Sequence, residues 1–174
     1  GKSLMNGKVI YKELFEQKGP LLYLIYGIGY LISNKTFLGV FILEVISSTI
    51  FSYIICKIIN LYLDKKYIYF ILPIFLMILY ASRAFSYGGS CEEFSLPFLG
   101  YILYKLLVYS KERKIRYTDI YIVGFVSGLI FLMKYTLLGI NFSFCIYAFI
   151  SLLLNKEYKK AFLFPFVFLV GMLT

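Results

Sequence analysis

Apolar runs of bilayer-crossing length, cut by short charged clusters, leave this chain little choice of environment. A helix needs roughly 20 apolar residues to cross the ~30 Å hydrocarbon layer of a membrane. The runs at about 37–63, 67–85, 94–109, 117–133, 136–154 and 161–174 approach or exceed that length. Hydrophobic residues make up 61% of the chain, whereas soluble domains use roughly 45–50%. A soluble globular domain and a disordered chain are both excluded.

Residue types narrow the chemistry further. There is no histidine and no tryptophan, and Cys56, Cys91 and Cys145 are far apart in sequence. No tetrahedral zinc set, paired-cysteine redox motif or histidine-based triad can be assembled from them. The 18 tyrosines and 18 phenylalanines accompany abundant Ile, Lys and Asn, as in the coding bias of an AT-rich genome, so no single tyrosine carries functional weight. The chain opens with Gly1 rather than Met and closes inside an apolar run, and is read as a piece of a longer polypeptide.

Positive charge sets the expected direction of the spans, because cytoplasmic loops hold the Lys and Arg excess near membrane ends. The clusters at 64–66, 111–116 and 155–160 are separated by room for one helical hairpin each, so all three fit the cytoplasmic side together. Residues 1–36, the stretch 86–93 and the turn at 134–141 then fall on the outer face. The early run at about 20–32 is short and is read as an amphipathic helix lying in the interface. Pro20 suits its first turn, where the missing N–H costs nothing. A tilted or truncated true span is the alternative. The expected fold is therefore all-α, a polytopic transmembrane helical bundle, with residues 1–36 an outer-face loop carrying the juxtamembrane helix and 37–174 the transmembrane helices.

Charges inside or beside apolar runs are candidate sites, since an ionised group deep in hydrocarbon costs on the order of 2.5–3.5 kcal/mol. Lys57 and Lys105 lie near cytoplasmic helix ends, where long stems snorkel to the headgroups, and are read as anchors. Glu44 and Arg83 sit at comparable depth on adjacent antiparallel spans and are expected to form a structural ion pair. Lys134 ends a span on the outer side with no acidic neighbour in sequence. It is either a snorkelling lysine or a point charge for an anionic headgroup or phosphate. Glu92 and Glu93 are an acidic cluster on the outer face, as are Glu13 and Glu16. The pair opens a helix whose N-terminal dipole favours negative charge, which accounts for one of them. The other is free to serve as general base, metal ligand or acceptor of a sugar hydroxyl.

The run from residue 6 to residue 51 resembles the first outer loop and second span of polytopic glycosyltransferases of the GT-C superfamily. The branch in question holds the protein O-mannosyltransferases and the lipid A aminoarabinose transferase. The resemblance is carried by Gly7 to Tyr11, by Lys18, Gly19, Pro20 and Leu21, and by a small break at Ser33 and Asn34 before the next span. An acidic residue just before a later helix, here Glu92 or Glu93, and a lysine at the outer end of a span, here Lys134, are similar to family features.

The resemblance implies transfer of a sugar from a polyprenyl-phosphate donor on the outer face. Lys18 and Lys134 would hold the donor phosphate, and Glu92 or Glu93 would be the catalytic acid of the second loop. It places an essential Asp upstream of Gly1, so that the fragment alone would be inactive. Membrane lipid and an acceptor glycan, lipid or protein are the implied partners, with no nucleic acid among them. No cofactor is required, although a divalent cation is allowed for. The expected location is a bacterial or archaeal cell membrane, spanned several times, with the site on the extracytoplasmic face. A secondary transporter lined by Glu44, Arg83 and Lys134 is the competing class, but such folds carry repeated, broken helices, and no internal repeat is visible here. A non-catalytic assembly subunit is the third. Gly124 and Gly128 form a small-xxx-small spacing that points to close helix packing.

Overall fold

The computed structural model describes residues 5, 7, 18–85 and 88–174. Among them are seven α-helices and no strand, so the all-α class expected from the sequence is the class observed. The helices are α1 (Pro20–Ile32), α2 (Leu38–Tyr62), α3 (Ile68–Tyr80), α4 (Cys91–Glu112), α5 (Tyr117–Met133), α6 (Gly139–Leu154) and α7 (Tyr158–Leu173). Short 3-10 turns cover Lys65–Tyr67, Arg83–Phe85 and Tyr135–Leu138. Expectations resting on 8–17, including Glu13 and Glu16, and on Ser86 and Tyr87 lie outside the described residues.

Two helices, Leu38–Tyr62 and Tyr135–Leu154 with its leading turn, are long and apolar enough to cross a membrane. Large apolar side chains also face outward, among them Phe41, Tyr69, Met77, Phe142 and Phe162. Such surfaces are stable against hydrocarbon and costly against water.

Three elements differ in extent from their apolar runs. The run at 67–85 holds a helix of only 13 residues, Ile68–Tyr80, about 20 Å long at 1.5 Å per residue. Beyond Tyr80 the chain tightens, with the Ser82 N–H donating to the Leu79 carbonyl and the Phe85 N–H to that of Ser82, the i to i−3 pattern of a 3-10 turn. The run at 94–109 is instead the middle of a longer helix, Cys91–Glu112. Helix α7 likewise starts at Tyr158, before its apolar run, with the Ala161 N–H bonding the Glu157 carbonyl. Apolarity marks what is buried in lipid or core, whereas a helix continues through its polar end turns.

The chain divides into two compact units, Gly1–Pro97 with Leu132–Lys134, and Phe98–Phe131 with Tyr135–Thr174. In the first, α1 and α2 meet backbone to backbone. A Cβ on Gly39 would lie 1.9 Å from the Gly29 carbonyl oxygen, and one on Gly29 would press on Val40. Further along, Phe51, Ile55 and Ile59 of α2 pack against Ile68, Leu72, Leu76 and Leu79 of the α3 segment and Leu96 of α4. A hydroxyl pair, Ser48 with Tyr80 at 2.6 Å, ties α2 to α3.

In the second unit the core is built from Ile102 and Tyr109 on α4, Ile120, Val123 and Ile130 on α5, Phe144, Ala148 and Leu152 on α6, and Ala161 and Phe164 on α7. Gly124 and Gly128 are the seam between α5 and α7. Added Cβ atoms there would lie 2.2 Å from the Phe168 carbonyl and 2.5 Å from that of Met172, and one on Gly171 would lie 2.2 Å from the Tyr121 carbonyl. Buried Asn141 of α6 donates to Ser127 of α5, a polar tie inside the apolar core. Lys105, expected as a snorkelling anchor, reaches Asp119 on α5 at 2.6 Å. Asp119 lies in the first turn of α5, so the ion pair ties α4 to α5.

The glycine seam yields a direct test. Gly124→Val forces a side chain into backbone and is expected to destabilise the second unit by about 2–3 kcal/mol. Gly139→Ala, where a Cβ meets nothing within 4 Å, is expected to stay within about 0.5 kcal/mol. Thermal unfolding of the purified protein in detergent measures both, and an unchanged midpoint for Gly124→Val refutes the packing assigned to the seam.

Candidate functional site

Polar groups in the first unit gather around the start of α4. Gly88 and Gly89 both take positive φ, 66° and 65°, the left-handed region that glycine enters without penalty. Their turn delivers Ser90 to the head of the helix. The Ser90 hydroxyl accepts from the Glu93 N–H at 3.1 Å, and the Glu93 carboxylate accepts from the Ser90 N–H at 2.7 Å. This reciprocal arrangement is a capping box, which satisfies two N–H groups that a helix start would otherwise leave bare. Its signature, Ser-x-x-Glu ahead of an apolar run, is legible in the sequence and was missed by reading the glutamate pair through the dipole alone.

Further contacts hold this turn in place. Tyr26 of α1 donates its hydroxyl to the Gly89 carbonyl at 2.7 Å, and its ring meets Phe94 edge to face. Ser47 of α2 reaches the Glu93 carbonyl at 3.4 Å. Glu93 itself is buried, 3% exposed. Burial pushes its carboxyl above the ordinary carboxylate range, the Ser90 N–H pulls it back, and the neighbouring Glu44 carboxyl on α2 pushes it up again.

The two neighbouring glutamates therefore do different work. Glu92 pairs with Lys134, Nζ to Oε1 at 2.6 Å, with each side chain about one third exposed. That hydrogen bond from Lys134 holds Glu92 below the ordinary carboxylate range and lifts Lys134 above the ordinary lysine range. Lys18 lies close enough to act electrostatically on Glu92, Lys134 and Cys91. A backbone contact positions it: the Gly19 N–H donates to the Met133 carbonyl at 2.8 Å. Glycine is required at that point, since a Cβ would lie 2.0 Å from the Leu132 carbonyl oxygen. The end of α5 is tied to α4 as well, by the Cys91 thiol to the Met133 carbonyl and by the Ser95 hydroxyl to the Met133 sulfur, both at 3.5 Å.

Of the residues singled out from the sequence, Lys18, Glu92 and Lys134 come together, with Glu93 one residue away in the cap. The expected Glu44–Arg83 pair does not form among the described residues. The inference assumed a continuous helix over 67–85, but α3 stops at Tyr80, and Arg83 lies on an exposed 3-10 turn. Glu44 instead faces Gly88, where a Cβ would come within 3.3 Å of its carboxylate, and Glu93. Tyr26, Ser47 and Ser90 are the site residues that sequence reading did not select. Among the described residues no three His, Cys, Asp or Glu side chains converge as a metal site. Lys134 already engages Glu92 and the helix cap engages Glu93, so the pair is not a fitting divalent-cation site.

An all-helical membrane protein with two lysines set around a carboxylate beside a glycine turn is the class these features define. The family model for dolichyl-phosphate-mannose-protein mannosyltransferases matches residues 17–174, and the chain belongs to that family. Its family is one of membrane glycosyltransferases. No curated protein and no solved structure matches the chain.

Glu93→Gln gives a signed test of the cap and its burial. Glutamine also closes a capping box, so the helix start survives while a buried charge is removed. A carboxyl raised by folding opposes the native state when ionised, and the penalty fades as pH falls and the carboxyl protonates. The variant is expected to unfold at an equal or higher temperature than the parent at neutral pH, with the difference shrinking toward pH 4. A midpoint lowered by several degrees at neutral pH contradicts this account.

Proposed function

We propose that this protein moves a sugar from a polyprenyl-phosphate donor to an acceptor at the outer face of the membrane. The observation that carries the reading is the approach of Lys18 and Lys134 to one another around Glu92. In the reaction, the bond between the anomeric carbon and the phosphate oxygen breaks, and the leaving polyprenyl phosphate keeps the electron pair. A bond from an acceptor oxygen to the same carbon forms, and the acceptor proton passes to a base. Negative charge grows on the phosphate, and ammonium groups held at a hydrocarbon edge stabilise it more strongly than they would in water.

Lys18 and Lys134 are the proposed phosphate-binding residues. Glu92 sets their position in the absence of donor and, once the phosphate has taken its place, accepts a hydroxyl of sugar or acceptor. Glu93 is a positioning residue, acting through the cap that presents Glu92. The proposed topology follows charge. The clusters at 64–66, 111–116 and 155–160 face the cytoplasm, α1 lies in the outer interface, and the chain crosses the membrane several times. The acceptor is a glycan, lipid or protein with a free hydroxyl.

Transfer from radiolabelled polyprenyl-phosphate sugars in membranes containing the full-length protein, with the upstream carboxylate that the resemblance implies, tests the reading. Lys18→Ala and Lys134→Ala are each expected to lower transfer by about 10²-fold with expression unchanged. Glu93→Ala is expected to cut transfer and Glu93→Gln to restore most of it. Lys57→Ala, whose ammonium lies over the Tyr53 ring, is expected to change little. Full activity in both lysine variants overturns the phosphate assignment, and solute movement across vesicles with no transfer from any donor favours a transporter.

A further inference from the structure

A cavity of about 360 Å³ opens in the second unit where α4 ends and α5 begins. Its walls include Lys105, Tyr109, Glu112, Lys114, Arg116 and Asp119. The loop that forms it is held in a defined shape. Arg113 takes a left-handed backbone conformation, φ 56°, with its N–H on the Tyr109 carbonyl at 2.8 Å. The turn sends the chain back over the helix end. Ile115 then plugs into the core, 6% exposed, leaving its neighbours Lys114 and Arg116 exposed on either side of it.

The charges at the cavity are unevenly committed. Asp119 is already bound, by Lys105 Nζ at 2.6 Å and by the Arg116 N–H at 3.3 Å. Arg116 also acts electrostatically on Asp119; beyond the Lys105–Asp119 pair, Lys114 and Arg116 share the lining with one further carboxylate, Glu112, and Lys111 and Arg113 flank them in sequence. Tyr109 is among the lining residues. Tyr109 is 2% exposed, its ring meets Tyr147 edge to face, and its oxygen is buried with no hydrogen-bond partner among the described residues. A buried hydroxyl without a partner is costly, and such groups are usually satisfied. Two cations, a buried hydroxyl and an apolar surround at a helix-hairpin end match the chemistry of a phosphate ester better than that of a sugar or a metal ion. Basic pockets between membrane helices on the positively charged side are sites for anionic headgroups.

We propose that this cavity binds the phosphate of an anionic phospholipid, with Lys114 and Arg116 as charge partners and Tyr109 as hydrogen-bond donor. It shares no residue with the Lys18–Glu92–Lys134 site and does not depend on the reaction proposed there, though it rests on the proposed topology. The lipid anchors the α4–α5 turn at the membrane surface and so supports the second unit.

Thermal unfolding of the whole protein in neutral detergent, with added phosphatidylglycerol or phosphatidylcholine, tests the proposal. Phosphatidylglycerol is expected to raise the midpoint of the parent protein by several degrees beyond phosphatidylcholine. Lys114→Gln with Arg116→Gln is expected to weaken the half-saturating concentration at least tenfold. Lys65→Gln with Lys66→Gln removes equal charge from another basic cluster and is expected to leave it within twofold. Tyr109→Phe separates the hydroxyl from the ring. It is expected to raise the lipid-free midpoint, since an unpartnered hydroxyl is removed, and to reduce the response to phosphatidylglycerol. If inorganic phosphate at millimolar concentration reproduces the full stabilisation, the site takes free phosphate and the lipid assignment falls. If the Lys65/Lys66 control loses as much as the Lys114/Arg116 variant, or if Tyr109→Phe leaves the lipid response intact, the built site is refuted.

Discussion

Helices in this protein come together backbone to backbone at glycine. Gly29 meets Gly39 between α1 and α2, Gly124, Gly128 and Gly171 join α5 to α7, and Gly19 lies against the Leu132 carbonyl at the end of α5. In lipid the hydrophobic effect does little to draw helices together, so dispersion and close packing must do so. A side chain at any of these points would intrude into a carbonyl or a neighbouring chain atom. The Gly19 contact matters most to function, because it fixes the segment that carries Lys18 beside the residue that precedes Lys134.

Around that contact the polar groups are shared out with little redundancy. Ser90 and Glu93 satisfy the helix start, Glu92 satisfies Lys134, and Tyr26 satisfies the Gly89 carbonyl. A pair of adjacent glutamates thereby acquires two unlike environments. One is buried, raised and structural, and the other is at the surface, lowered and paired with a cation. That separation follows from helical geometry, in which successive side chains point about 100° apart. It explains why one glutamate belongs to the cap and its neighbour to the exposed cluster. The second unit handles its charges in a parallel way, with Asp119 consumed by Lys105 while Lys114 and Arg116 stay exposed.

Much of the architecture was legible in the sequence. Apolar run length disclosed the all-α class, since a backbone in hydrocarbon must satisfy its own hydrogen bonds. The spacing of Gly124 and Gly128 disclosed a helix seam. Ends were read less well: α3 stops short at Tyr80, and α4 and α7 begin before their apolar runs, because capping and 3-10 tightening are decided by polar contacts that hydropathy ignores. The Glu44–Arg83 expectation failed for this reason. Depth along an assumed straight helix placed the two charges together, and a single 3-10 turn after Ser82 moved Arg83 off that line.

What the residues alone determined is an all-helical, membrane-embedded chain with Lys134, Glu92 and Glu93 as charged points of interest, and the resemblance added the glycosyltransferase family and Lys18. Periodicity, run length and local motif are properties of neighbouring residues, and those were readable. Tertiary structure alone decided that Lys134 takes Glu92, that Glu93 comes beside Glu44, that Lys105 takes Asp119, and that Tyr26, one tyrosine among 18, secures the glycine turn. Each of these pairs residues distant in the chain, up to 63 positions apart for Tyr26 and Gly89. Their contact depends on where glycine lets two backbones approach, a geometry that no local pattern of side chains encodes.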